Sequence, residues 1–193
     1  DGHFSLTCYT RALDQAYQTY IRKAARKDLG VSNMDSFDYS VFHVPTCKLV
    51  SKSFARLFYN DYLNKASSLE LPEDLQSLSY EASLTDKNLE KALVASAKAK
   101  AATRLNPSLI GPTNTGNMYT ASVYSSLASL LTYVPTSDLA NKRISFFSYG
   151  SGLASSFFSA QVKGDISEIV KNLDLKNKLE NRSFESPEQY EEA

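Results

Sequence analysis

His43 and the residues around it carry the chemistry of this chain. The β-rich run Tyr39-Ser40-Val41-Phe42 leads straight into His43, and Pro45 then stops a strand and suits a turn. A helical pattern begins at once, with Lys48, Lys52 and Arg56 four apart on one face. An imidazole at a strand end can give or take a proton near neutral pH. The cations beside it suit a polyanion. Together they read as a site for an acidic, phosphate-bearing ligand such as an acyl-CoA.

Each residue also has a plainer reading. A single histidine at a strand end is commonly a satisfied core residue. Lys48 and Lys52 could be no more than the solvated face of an amphipathic helix, and Arg56 fits a structural ion pair. Asn117 follows Gly116 and precedes a helical pattern, so it suits an N-cap, a place from which its amide could still reach a carbonyl. Ser151 stands between Gly150 and Gly152, where either a bulge or a carbonyl-binding hydroxyl or N–H is possible. Cys47 lies four residues from His43 across a strand–turn–helix junction. That spacing does not place thiol against ring, and Cys47 reads as a packed thiol.

Elements must position these residues. A first helix is expected over about Phe4–Lys27, with Leu6, Tyr9, Leu13, Ala16, Tyr17, Tyr20 and Ala24 on one stripe and Gly30 ending it. A strand (Tyr39–His43) and the Lys48/Lys52 helix follow, the latter burying Val50, Phe54, Leu57, Phe58 and Tyr62. Residues 66–85 read as a surface excursion. An Ala/Lys-rich helix over about Asp86–Leu105 has a thin apolar face and belongs on the surface. Asn106-Pro107 ends it, and residues 111–117 form a dense turn cluster. The helix Met118–Tyr133 is apolar nearly all round, so burial is expected, with Ala and Ser allowing close approach to a neighbour. Strands at Arg143–Tyr149 and Leu153–Val162 and a helix over Ile166–Leu179 complete a mixed α/β fold in which a buried helix packs on a sheet. Tyr119 and Tyr149 read as packing residues.

Composition narrows the function classes. The 193 residues are 42% hydrophobic and 22% charged, enough for one real core. Formal net charge is zero, so no global field draws nucleic acid or a membrane surface, and anion recognition has to be local. No apolar run is long enough to span a bilayer. Two cysteines without a CxxC pair fit a reducing compartment, with no disulfide framework or zinc site. The expectation is a cytoplasmic protein, with a mitochondrial one left open. Asp1 in place of Met, and an acidic tail over residues 180–193, read as a segment of a longer polypeptide.

Several separated motifs, in one order, carry a family resemblance. They are Leu13-Asp14; Phe42-His43-Val44-Pro45-Thr46-Cys47-Lys48-Leu49-Val50; Phe54-Ala55-Arg56; Gly116-Asn117-Met118-Tyr119-Thr120-Ala121-Ser122-Val123-Tyr124; Ser125, Leu127, Ala128 and Ser129; Lys142-Arg143-Ile144; and Phe147-Ser148-Tyr149-Gly150-Ser151-Gly152. The chain resembles the eukaryotic-type 3-hydroxy-3-methylglutaryl-CoA (HMG-CoA) synthase family of the thiolase superfamily over nearly its whole length; residues 66–105 match only in placement. The resemblance implies the C-terminal half of a layered αβαβα fold with a mixed sheet. It also implies condensation of acetyl-CoA with acetoacetyl-CoA in the mevalonate or ketone-body pathway, with CoA esters as substrates and no cofactor.

On that resemblance His43 and Asn117 hold the acetoacetyl thioester, Ser151 is the serine of the Gly-Ser-Gly turn, and Lys48 and Lys52 contact CoA. The family's nucleophilic cysteine and its base glutamate belong to an N-terminal half. Neither Cys8 nor Cys47 matches that nucleophile. The implied partners are that half and, as a homodimer, a second copy, and this chain alone is expected to be inert. The competing readings are a non-catalytic interaction domain of the same fold and another acyl-CoA condensing enzyme.

Overall fold

The computed structural model describes residues 2–150 and 152–192, with side chains from residue 5 onward. Three strands form one sheet in the order β1 (Tyr39–Phe42), β2 (Arg143–Tyr149), β3 (Ser155–Gln161). β1 runs parallel to β2, with Phe42 opposite Phe147, and β2 runs antiparallel to β3. Around the sheet lie α1 (Gly2–Arg26), α2 (Cys47–Leu63), the short α3 (Glu73–Gln76) and α4 (Tyr80–Ser83), and α5 (Lys87–Arg104). Then come α6 (Asn106–Thr115), α7 (Ser122–Tyr133), α8 (Thr136–Leu139), α9 (Ser167–Leu173), α10 (Leu175–Glu180) and α11 (Pro187–Glu191).

Strand alternation divides the interior in two. Val41, Ile144 and Phe146 face a core built with Leu130 of α7, Val134 just after it, and Ile166. Phe42 and Phe147 point the other way, into the larger core of α1, α2 and α5. The stripe read from the sequence places Tyr9, Leu13, Tyr17 and Ala24 of α1 in that larger core, while Leu6 stays 48% exposed. Helix α5 buries only Leu89, Leu93 and Ala97, which is the thin face its composition dictates.

Five segments depart from the sequence reading. Residues 66–85 form more than an excursion: Leu71 and Leu75 are buried in the main core, and α4 brings Ser83 to Arg56. Residues 111–115 belong to α6, despite Gly111 and Pro112; the break comes at Gly116, whose φ of +74° favours glycine. Helix α6 survives there because α7 supports it. The Ser129 hydroxyl accepts the Gly111 N–H (2.9 Å) and donates to the Pro107 carbonyl (2.7 Å), and a Cβ on Gly111 would lie 3.1 Å from the Ser129 Cβ. Helix α7 buries a serine face (Ser122, Ser126, Ser129) with Leu130, whereas Tyr124 is exposed. The last predicted helix is two, α9 and α10, divided at Asp174, whose φ is +45°. Tail residues 187–191 form α11 behind a Ser186/Gln189 capping box.

A buried polar cluster locks α1 to α2. The Arg56 guanidinium donates from Nη2 to Asp14 Oδ2 (2.8 Å) and from Nη1 to the Ser83 carbonyl (3.0 Å). Asn60 Nδ2 and the Tyr80 hydroxyl donate to the two oxygens of the same carboxylate, at 2.7 and 3.1 Å. The Arg56 carbon lies 4.8 Å from the Tyr59 ring centre. Burial and the Asp14 charge push the Tyr80 phenol up to about 12. One turn on, Asp61 accepts from the Tyr17 hydroxyl (2.6 Å) and the Met34 N–H (2.8 Å), and burial still lifts its carboxyl to about 6.

Removing one partner of such a pair strands a buried charge, at a cost of about 3–5 kcal/mol. Asp14→Ala is expected to lower unfolding stability by that order in urea denaturation, and Asp14→Ala/Arg56→Met to lower it by less than Asp14→Ala alone. A double variant as unstable as the sum of its parts would show that the two residues act separately.

Candidate functional site

His43 sits where β1 hands over to α2, and the main-chain hydrogen bonds of that handover are accounted for one by one. The His43 N–H donates to the Phe147 carbonyl (2.8 Å), adding a last rung to the parallel ladder. The Val44 N–H donates to the Ser122 hydroxyl (2.8 Å) at the start of α7. Pro45 has no N–H to satisfy. Thr46 caps α2, its hydroxyl accepting the Leu49 N–H (3.2 Å). The backbone on both sides of the imidazole is therefore pinned to different elements.

The half-buried ring opens into a cleft of about 350 Å³ lined by Tyr119 and Thr120 from the turn before α7, by Val123 from its first turn, and by Ser148, Tyr149, Gly150 and Ser155 from the β2–β3 hairpin. Burial holds the His43 ring below its ordinary value, and the Tyr119 main chain, which offers the ring a hydrogen-bond partner, pulls it partly back. Tyr149 packs on Tyr9 with ring centres 4.8 Å apart, and burial pushes its phenol up.

Asn117 is exposed on the loop entering this cleft wall. It does not cap α7. Its Oδ1 accepts the Tyr119 N–H (2.8 Å) in a tight side-chain turn, which leaves its amide N–H groups as donors. Ser151 lies outside the described residues; its neighbour Gly150 lines the cleft and donates to the Ala154 carbonyl (2.9 Å), closing the turn between β2 and β3.

The cations do not share the His43 cleft. Lys48 and Lys52 line a second one, of about 340 Å³, between α1, α2 and the start of α5, with Thr46 at its edge. Nor are the three cations equally available. Arg56 is committed to Asp14, as an ion pair reading requires. Lys52 Nζ lies 2.8 Å from Glu90 Oε1, because α5 packs along α2 and carries an acid in its first turn. Lys48 is exposed and makes no ion pair among the described residues. Cys47 is half-buried, with Sγ 3.5 Å from the Thr113 hydroxyl, consistent with a packed thiol.

Two contributors escaped the sequence reading. Glu90 neutralises Lys52 through a contact 38 residues distant, which no local pattern announces. Ser122 had a weak signal: Ser122, Ser126 and Ser129 recur at helical spacing, the mark of a face closely packed against a neighbour. Among the described residues no group of His, Cys, Asp and Glu could hold a metal ion, and no helix is long and apolar enough to cross a membrane.

With this geometry in place, comparison with known proteins gives one answer. The family described as hydroxymethylglutaryl-coenzyme A synthase C terminal matches residues 1–193. The chain is 52% identical over 202 residues to the hydroxymethylglutaryl-CoA synthase of Saccharomyces cerevisiae, covering all of this chain and 41% of that protein. It is 52% identical over 199 residues to the enzyme of Schizosaccharomyces pombe, again over the whole chain and 44% of the relative. Among solved structures, MvaS in complex with 3-hydroxy-3-methylglutaryl coenzyme A superposes with a TM-score of 0.79 at 31% identity, over all of this chain and 43% of that one. The chain thus spans less than half the length of these relatives, and it belongs to the hydroxymethylglutaryl-CoA synthase family, in that family's C-terminal part.

Proposed function

We propose that this chain supplies the acetoacetyl-thioester and CoA contacts of a synthase that condenses acetyl-CoA with acetoacetyl-CoA to give HMG-CoA and free CoA. The observation that carries this reading is the His43 cleft. An imidazole is held there between the β2–β3 hairpin and the Tyr119–Val123 segment, two residues along the chain from Asn117, which is not itself among the cleft's lining residues, within a chain whose relatives are HMG-CoA synthases. The nucleophilic cysteine and the base glutamate that the resemblance implies would come from outside this chain, so the isolated chain is proposed to be inactive.

The two clefts fit the two ends of a CoA ester. The acyl end is small and needs carbonyl-directed groups, which His43 and the Asn117 amide provide. The nucleotide end carries phosphates. Lys48 and the free N–H groups of the first turn of α2 offer these a positive setting at the cleft beyond Thr46. Lys52, already paired with Glu90, contributes less to that field. During condensation the ketone oxygen of the acetoacetyl group gains negative charge and then a proton. A ring that is neutral at pH 7 can donate its N–H as a hydrogen bond to that oxygen as charge builds on it, and Asn117 can donate to the neighbouring thioester carbonyl.

Three outcomes follow. The His43 ring should titrate below its ordinary value of about 6.5 in a proton–nitrogen NMR experiment, because burial disfavours its charged form. The unfolded chain then binds the proton at higher pH than the folded one, so acidification through this window favours unfolding; a midpoint at or above 6.5 would remove this part of the account. In the assembled enzyme, His43→Ala should weaken acetoacetyl-CoA handling at least tenfold more than it slows formation of the acetyl-enzyme, on the order of one lost buried hydrogen bond. Equal loss of both steps would contradict the assigned role. Lys48→Ala should raise KM for CoA esters by roughly three- to tenfold at low salt, with the difference shrinking as ionic strength rises; a flat salt response would return Lys48 to the solvated-face reading.

A further inference from the structure

Ser122 is buried at 2% exposure at the first position of α7, and with two different atoms it holds the chain beside His43 and the Tyr119 wall of the cleft. Its hydroxyl accepts the N–H of Val44, the residue after His43 (2.8 Å). Its own N–H donates to the carbonyl of Tyr119, closing the turn Tyr119–Ala121 that follows Asn117. The Tyr119 N–H is in turn held by Asn117 Oδ1 (2.8 Å). An unbroken chain of contacts therefore runs from Val44 through Ser122 and Tyr119 to Asn117. The same two segments also meet where the Tyr119 main chain offers the His43 ring a hydrogen-bond partner, so the Val44–Ser122 bond is their main-chain counterpart to that contact.

We infer that Ser122 is a positioning residue for the thioester site, its hydroxyl fixing the separation between the His43 imidazole and the Asn117 amide. This rests on the reading of the cleft given above. The physical reason is directional. β1 fixes His43 along the sheet through Phe147, but a parallel ladder leaves the strand end free to tilt towards or away from α7. The Val44–Ser122 bond removes that freedom, at a step where Pro45 supplies no N–H that could do so. Two groups that must meet one acyl chain need their spacing held to a fraction of an ångström. Without the hydroxyl the Val44 N–H is buried and unpaired, and the strand end shifts to find a partner.

The test is a double-mutant cycle in the assembled enzyme, reading the dissociation constant of acetoacetyl-CoA. Ser122→Ala is expected to weaken binding by roughly tenfold, the scale of one buried hydrogen bond, while stoichiometric acetylation by acetyl-CoA stays intact. In the His43→Ala background the same change is expected to alter binding by less than about twofold, because there is no ring left to position. Equal factors in the two backgrounds, with His43→Ala itself impaired, would overturn the role of Ser122 and leave the cleft reading standing. A His43→Ala enzyme that binds acetoacetyl-CoA like wild type would overturn the cleft reading and this inference with it. Ser122→Cys, similar in size with a weaker acceptor, guards against misfolding of the alanine variant. It is expected to fall between wild type and alanine and to shift the NMR titration midpoint of His43; wild-type affinity and an unmoved midpoint would overturn the inference.

Discussion

The parallel pairing of β1 with β2 is the constraint on which the rest of the site depends. Strands adjacent and parallel need a long crossover, and here about a hundred residues, including seven helices, separate them. That crossover is what brings the start of α7 and the β2–β3 hairpin to the same end of the sheet as His43. With Phe42 opposite Phe147, β1 ends on the rung where His43 still bonds to β2 but its side chain already leaves the sheet. A slip of one residue would turn the imidazole into the opposite face and move Val41 out of the α7 core. The apolar pattern forbids this, since Val41 and Phe42 are both fully buried on opposite sides.

The second cleft has a different origin. Asp14, Arg56, Asn60, Tyr80 and Ser83 form a satisfied polar network that fixes α1, α2 and α4 as one block. Taking two charges out of water is costly, and the network repays it with several directional bonds. Beside this block lies the cleft that Leu6, Thr10 and Leu13 of α1 line together with Lys48 and Lys52 of α2. Charge is disposed there by commitment: the buried arginine and the half-buried lysine are paired, and the outermost lysine is not.

Much of this was legible from residue order, for reasons that can be named. The strand ending before His43, the Pro45 turn, the α2 face and the strand Arg143–Tyr149 follow from local periodicity and from proline's missing N–H. The ion pair of Arg56 was foreseeable in kind, though Asp14 as its partner was not. What stayed hidden came from contacts distant in sequence. Helix α6 runs through Gly111 and Pro112 because Ser129 of another helix supports its backbone. Lys52 looks free until α5 folds onto α2. The cations seemed to stand beside the imidazole because a helix face was read without its direction relative to the strand. In three dimensions Thr46 is the divide, with His43 on one side and Lys48 on the other.

The family assignment and the proposed function meet at the His43 cleft, where the proposal seats the acyl end of a CoA ester with its phosphates towards Lys48. A crystal structure of the assembled enzyme with acetoacetyl-CoA bound tests this most directly. The account predicts the acyl carbonyls within about 2.6–3.2 Å of the His43 ring and the Asn117 Nδ2, with the phosphates passing Thr46 towards Lys48. An acyl group seated in any other cavity, with His43 untouched, would contradict it.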